Sequence, residues 1–306
     1  MSVMALTTGT DVLRPFQLDR TQLRGRLVRL GATVDQVLRA HAYPAAVSDQ
    51  LGELLLLAGG LAGGLKFAGS FSLQVRGDGP VGLMVADCTN DGRMRGYASF
   101  DAARMAADTG LAGPALVGTG LLALTVDQTA SGGELYQGIV ELSGATLTAS
   151  MLTYFQRSEQ VPTAIRTALG KDPQSGSWRA GALIVQSMPG AGAASPDERT
   201  EDWQRTMLLM HTLRDEELLD PTLAPDDLLW RLFHEEQVRV FAPLALTPGC
   251  SCDEDRVANV LRSFTSDELE EMRLPDGAVS VTCQFCSRTY RFGPERLVAL
   301  RGSGLH

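Results

Sequence analysis

Five cysteines occur in the 306-residue chain, and four of them form two tight pairs near the C-terminus, Cys250-Ser251-Cys252 and Cys283-Gln284-Phe285-Cys286. The pattern is C-x-C, thirty residues, then C-x-x-C. Four soft thiolates from two short knuckles suit one tetrahedral Zn²⁺ per chain. The stretch around them carries few large apolar side chains. Metal binding is therefore expected to supply most of its folding free energy, about 10–16 kcal/mol in structural zinc peptides. An odd, clustered set of cysteines does not read as a secreted disulfide framework.

The same sulfurs are oxidisable. A disulfide between residues two apart closes a very small ring, far from relaxed geometry, and strained disulfides are the reversible kind. Zinc holds thiols as thiolates, the form that oxidants attack. A site that loses one pair of ligands keeps two, too few for the ion, so oxidation should unfold the C-terminal unit. A permanent zinc clip is the alternative that spacing alone leaves open. A thioredoxin-like catalyst is disfavoured, because its C-x-x-C would open a helix in a βαβ unit, whereas Cys283 and Cys286 fall on an expected hairpin.

The elements that must position these thiols follow from pattern. The chain is 44% apolar and 21% charged, with net charge -9 and a sequence pI near 5.0. That is globular composition, and the acidity disfavours nucleic acid as a partner. Met1–Asp19 lacks the apolar core of a signal peptide. The most apolar run, Leu54–Leu65, lies between Glu53 and Lys66 and is too short for a span of ~20 residues. A cytoplasmic protein with no membrane partner is expected.

The spacing predicts a helix over Pro44–Leu65, in which Gly59, Gly60, Gly63 and Gly64 permit close packing. Strands are expected at Phe71–Val75, Val81–Ala86, Met94–Phe100, Leu121–Val126, Tyr136–Leu142 and Ala182–Val185, and a second helix at Thr146–Gln160. Short turns between successive strands favour antiparallel pairing and an α+β fold. Pro189–Pro196 (PGAGAASP) breaks the composition. Beyond it, Asp197–Asp220 carries eight acids and three arginines, with Trp203, Met207 and Met210 at helical spacing. Another helix, Asp226–Gln237, places Leu229, Trp230 and Phe233 on its apolar side. Two such helices cannot form a core alone and must lie on something larger. Three regions result: an α+β core at 1–188, a charged amphipathic linker at 189–246, and a cysteine-bearing domain at 247–306. In the last, a helix at Asp253–Phe264 precedes a hairpin of Ala278–Thr282 and Thr289–Phe292.

With these features in place, the chain resembles the redox-regulated 33-kilodalton heat-shock chaperone family. The resemblance rests on the cysteine tail and on an ordered series through the body. That series includes Tyr43-Pro44, Leu65-Lys66-Phe67, Gln74 with Gly77-Asp78-Gly79-Pro80, Met94-Arg95-Gly96 and Tyr136-Gln137-Gly138. It continues with Tyr154-Phe155, Ser158-Glu159-Gln160, Pro162-Thr163, Leu229-Trp230-Arg231-Leu232 and His234-Glu235-Glu236. The resemblance implies an ATP-independent holdase that is idle when reduced and zinc-loaded. It implies Cys250–Cys252 and Cys283–Cys286 disulfides on oxidation, zinc release, loss of linker structure, a homodimer and capture of unfolding clients. It also implies later transfer to ATP-dependent foldase chaperones. The linker residues Trp203, Met207, Met210, Leu229, Trp230 and Phe233 are the expected client surface.

Other features have plainer readings. Gly118-Thr119-Gly120-Leu121-Leu122-Ala123 fits a dinucleotide loop by letter, but runs into an expected strand. Arg76-Gly77-Asp78 reads as a turn. His41, His211, His234 and His306 show no metal or triad spacing, and Cys88 reads as an idle thiol. No nucleophile with a supporting base and no paired carboxylates appear, so no enzyme is expected. A constitutive zinc-ribbon adaptor and a thiol–disulfide oxidoreductase are the competing classes. Nine acids against seven arginines from Cys250 onward weaken a nucleic-acid version of the former.

Overall fold

The computed structural model describes residues 9–63, 68–107, 110–187 and 195–302. The chain divides into two compact units, Met1–Pro248 and Gly249–His306. In the first unit, β1 (Val12–Leu18) and β2 (Leu23–Leu30) precede α1 (Ala32–Arg39) and α2 (Ala45–Ala62). A meander follows: β3 (Ser70–Gly77), β4 (Val81–Thr89) and β5 (Arg93–Phe100), then α3 (Ala102–Ala107), β6 (Gly120–Asp127) and β7 (Leu135–Glu141). Helix α4 (Leu147–Tyr154) leads to the long hairpin β8 (Thr163–Lys171) and β9 (Trp178–Gln186). Helices α5 (Pro196–His211), α6 (Asp215–Leu219) and α7 (Pro225–Phe233) and the short strands β10 (Val238–Val240), β11 (Leu244–Ala245) and β12 (Thr247–Pro248) complete it.

Two sheets organise these elements. The first runs β10-β1-β2-β9-β8, with β11 also on β1; the second runs β12-β5-β4-β3-β6-β7. Every pairing is antiparallel except β12 on β5. Helix α2 contacts strands of both sheets. From Leu54 onward it is apolar on all sides, as a helical stretch enclosed in a core must be. By length and composition it could cross a membrane, but 83% of that stretch is buried inside the protein. Its glycines let it sit close. A Cβ on Gly60 would fall 2.5 Å from Ile184 Cδ1, and one on Gly63 2.5 Å from Leu13. Gly64, and the end of the expected helix at Leu65, lie outside the described residues, as do Leu65-Lys66-Phe67, most of the Pro189–Pro196 break, and His306.

The α+β expectation holds, and the six expected strands are present, most of them longer than expected, although β7 ends at Glu141, one residue before the expected Leu142. Pattern missed β1, β2, α1 and β8. Strand β2 reads Leu-Arg-Gly-Arg-Leu-Val-Arg-Leu, whose arginines disguise a strand covered on both faces. The expected helix at Thr146–Gln160 is α4 followed by a π-helical turn at Phe155–Glu159 and a left-handed Gln160. Gly120-Leu121 opens β6 and not a helix, which removes the dinucleotide-loop reading. Cys88 is buried, and burial, then Asp91 and Asp87, push its thiol up to about 12, so it is an idle side chain.

The acidic stretch after Ser195 is two helices, not one. Ser195 and Glu198 form a reciprocal cap on α5, and Arg214 with Glu217 caps α6 after a break. The outward face of the first sheet, Phe16, Leu18, Leu23 and Leu27, shares a core with Met210, Leu213, Leu218, Leu228, Leu229 and Phe233. Trp203 and Met207 pack at its margin. Trp230 departs from expectation: it is 64% exposed and stacks on His234 at 4.9 Å. The buried seam is Leu228, Leu229, Leu232 and Phe233, and one residue's rotation of ~100° carries Trp230 off it.

Polar groups also anchor this layer. Arg29, fully buried, donates to the Glu217 carbonyl at 2.7 Å and to the Leu223 carbonyl. Arg205 grips the buried Glu236 with Nε–Oε1 2.6 Å and Nη2–Oε2 3.2 Å, and also reaches Asp202. Replacing Arg29 with Met would orphan two carbonyls. We expect Arg29→Met to loosen the α6–α7 layer by about 2–4 kcal/mol. Amide exchange should accelerate at Leu228–Phe233 and stay slow in α2.

Candidate metal centre

The second unit is small. Helix α8 (Glu254–Arg262) and α9 (Ser266–Glu271) precede the hairpin β13 (Val279–Thr282) and β14 (Thr289–Phe292), and α10 (Pro294–Gly302) closes it. Its core consists of Ala258, Leu261, Leu269, Val279, Phe292, Leu297 and Leu300. Seven buried side chains, two of them leucines on the last helix, are a thin apolar basis for an independent fold.

Each cysteine pair is held by local structure. Cys250 and Cys252 lie on an extended segment that ends at Asp253, whose side chain caps α8 by accepting from the Arg256 amide at 2.7 Å. The cap fixes the direction in which the chain leaves Cys252. Cys283 and Cys286 lie in the turn of the β13–β14 hairpin. The Cys283 amide donates to the Arg288 carbonyl at 2.9 Å, and the Ser287 amide returns to the Cys283 carbonyl at 2.8 Å. Ser287 takes a left-handed conformation, φ 57°, that bends the knuckle.

The four Sγ atoms all lie within 4.8 Å of one another. Cys250 and Cys283 are 3.7 Å apart, and Cys252 and Cys286 3.3 Å. Tetrahedral thiolates at a zinc–sulfur distance of ~2.3 Å would stand ~3.8 Å apart. The donor set therefore fits a four-coordinate thiophilic ion with small adjustment. All four thiols are free and half-buried.

Electrostatics supports the same reading. Burial would raise the Cys252 thiol, but hydrogen bonds from the Tyr290 hydroxyl and from the neighbouring thiols outweigh it and bring it to about 7. Tyr290 Oη stands 3.2 Å from its sulfur. Burial and donation to the other sulfurs push Cys286 up to about 12 and raise Cys250 as well. Four sulfurs this close cannot all ionise unaided, and a divalent cation removes that obstacle. Tyr290 was not expected. The signal for it is hairpin register, since Tyr290 pairs with Val281, two residues from Cys283.

His234 belongs to the first unit and takes no part in the cluster. The six expected linker residues lie elsewhere too: Met210, Leu229 and Phe233 buried, Trp203 and Met207 partly so, and Trp230 exposed.

Together, two largely antiparallel sheets that both contact a buried helix, and a C-terminal cluster of four thiols that could hold a metal ion, define an α+β protein with a thiol-bearing tail. A family model described as "Hsp33 protein" matches residues 11–293. The 33 kDa chaperonin of Caulobacter vibrioides is 40% identical over 96% of this chain and 99% of that protein. The 33 kDa chaperonin of Azotobacter vinelandii is 39% identical over 96% and 95%. The crystal structure of the Thermotoga maritima 33 kDa chaperonin superimposes with a TM-score of 0.78 at 23% identity, over 96% of this chain and 98% of that one. The chain belongs to the Hsp33 family of chaperones.

Metal loading offers a direct check. Cobalt(II) added to the reduced protein should give thiolate-to-metal charge-transfer absorption that saturates at one ion per chain. Saturation at a different ratio, or absorption without the thiolate band, would show that the four sulfurs do not share one ion.

Proposed function

We propose that this chaperone is an ATP-independent holdase switched on by oxidation, and that Zn²⁺ held by Cys250, Cys252, Cys283 and Cys286 keeps the reduced form idle. The observation that carries the proposal is the gathering of four half-buried thiols within 4.8 Å in a unit with so small an apolar core. When bound, the ion would hold all four sulfurs as thiolates and tie the two knuckles together.

The protein's own residues supply the switch. Cys250 joins Cys252, and Cys283 joins Cys286. Each pair of thiolates gives two electrons to one peroxide molecule, which takes two protons from water and leaves as two waters. Four thiolates are thereby lost from the ligand set, and nothing but a thin core remains to hold α8, α9 and the hairpin. Unfolding that starts at Cys250 is two residues from β12, and β12, β11 and β10 are only two or three residues each. Strands this short yield early once their downstream anchor is gone. Release of the layer above the first sheet would then bare Met210, Leu229 and Phe233, together with Trp203 and Met207, beside the already exposed Trp230. Such a segment, apolar in stripes and charged between them, suits many unfolded partners without fixed geometry.

In this reading residues 1–188 form the body that binds clients and dimerises, 189–246 the releasable linker, and 247–306 the redox switch. The cytoplasm is the compartment in which reduction would be the resting state. Clients pass afterwards to ATP-dependent foldases, and no chemical turnover is required of the protein itself.

Titrating the reduced protein with hypochlorite or peroxide, while following zinc release and suppression of aggregation of a heat-unfolded protein, tests the proposal. About one zinc per chain should leave as holdase activity appears, and dithiothreitol should reverse both. Protease should cut beyond Ser195 in the oxidised form and spare 12–186. An adaptor would lose function or stay indifferent, and an oxidoreductase would turn over a dithiol. Cys283→Ser should weaken zinc binding and leave the linker partly open under reducing conditions. A variant that stays closed would show that the two units are uncoupled.

A further inference from the structure

A cavity of about 400 Å³ opens between the two sheets of the first unit, beyond the last turn of α2. Its apolar wall includes Leu61, Phe71, Leu124 and Val126. Its floor is unusual. Along β2, Val28 and Leu30 point inward to the central core, while Leu23 and Leu27 point outward to the linker helices. By the two-residue alternation of a strand, Arg26 and Arg24 continue the inward row. Both line the cavity. Half-buried Arg26 thus stands where a branched apolar residue would close the core, and Arg24, two residues away on the same row, is exposed.

Neither arginine has a hydrogen bond or an ion pair among the described residues. Arg26 is half-buried. Burial, then repulsion from Arg24, lowers its pKa to about 10, the signature of a cation without a counter-ion. Glu159, at the opposite rim, is occupied: its Oε1 accepts from the Tyr136 hydroxyl at 2.9 Å and from the Tyr154 hydroxyl at 2.6 Å. The π-helical turn that carries Glu159 lies on the same wall. Such turns are uncommon and concentrate at binding sites. Two cations against one anion leave one positive charge to be matched, above a wall of aliphatic and aromatic side chains.

We propose that this cavity is a binding site for a small monocarboxylate on an unbranched apolar chain, a medium-chain fatty acid. The carboxylate takes the planar fork of Arg26, with Arg24 nearby, and the chain lies against Phe71, Leu124 and Val126. A guanidinium offers a carboxylate two parallel N–H donors. The volume is in the range of small-ligand sites, about 300–1,000 Å³. A dianionic phosphate head is disfavoured, because its second charge would face Glu159. The proposal concerns the folded body and is independent of the thiol centre, so it stands or falls separately from the redox reading.

Calorimetry of the reduced, zinc-loaded full chain with decanoate, kept below its micelle concentration, tests it. Decanoate should bind one per chain, while decanol and butanoate bind at least tenfold more weakly. Arg26→Gln should weaken decanoate at least tenfold and leave decanol unchanged, and Arg26→Lys should fall between. Leu124→Trp, which fills the cavity from the opposite wall, should abolish binding. Circular dichroism of each variant, with a melt, guards against misfolding. Binding that is absent, that is not saturable at one per chain, that is equal for decanol, or that is unchanged in a folded Arg26→Gln variant would overturn the proposal.

Discussion

Four sulfur atoms lie within 4.8 Å of one another, a donor set that a cation would hold together. As thiols they share hydrogen bonds: burial and then those bonds push Cys286 up to about 12, while bonds from the Tyr290 hydroxyl and the neighbouring thiols outweigh burial and bring Cys252 to about 7. As thiolates they repel. The small unit around them has no alternative source of cohesion on the same scale. Its seven core side chains come from the hairpin and three helices, and its surface ion pairs, such as Arg273 with Glu270, are worth at most about 1 kcal/mol. Cohesion is thus concentrated in one chemical group that an oxidant can remove. A larger core would make the same centre inert as a switch.

The layer of α5, α6 and α7 is the complementary half of that design. It is well packed, with Leu229 and Phe233 fully buried, so it is silent at rest. Yet much of what holds it is polar. Arg29 on two carbonyls, and Arg205 on Glu236, satisfy groups that would be costly to bury unpaired. In water those groups are satisfied equally well, so opening forfeits little of their energy. What opening would forfeit is the apolar contact with Phe16, Leu18 and Leu27. The body beneath has a different balance, since α2 is enclosed by apolar strands of both sheets, and its buried Glu53 accepts from the Thr148 amide and hydroxyl.

The sequence carried the chemistry more clearly than the architecture. Cysteine spacing alone placed the four thiols in one cluster, because ligand pairs on short knuckles have few other geometries. Strands with clean alternation, such as Phe71–Val75 and Met94–Phe100, were legible from composition and turn residues. Strand β2 was not, because arginines occupy its inward row at Arg24 and Arg26 and one of its buried positions at Arg29. Strand β8, on the far side of β9, was missed too, since Thr163–Lys171 is half-covered and never alternates strictly. The assignment of Trp230 to the buried side failed for a geometric reason: adjacent residues on a helix are ~100° apart, and Leu229 already occupied the seam. Tyr290 escaped notice because its role depends on a register across the hairpin.

The proposed switch requires oxidation to be selective. Sulfurs stand close across the knuckles, Cys250 with Cys283 and Cys252 with Cys286, at sequence separations of 33 and 34. A disulfide between either of those pairs would staple the extended segment to the hairpin. Closing a loop of that length disfavours the unfolded chain by about 4 kcal/mol, so the unit would stay folded without its metal. Disulfides within C-x-C and C-x-x-C close loops too short to restrain anything beyond the knuckle itself. Only near-neighbour pairing removes the ligands and leaves the two knuckles free to part. The close spacing within each pair is therefore as necessary to an opening switch as the fourfold cluster is to a closed one.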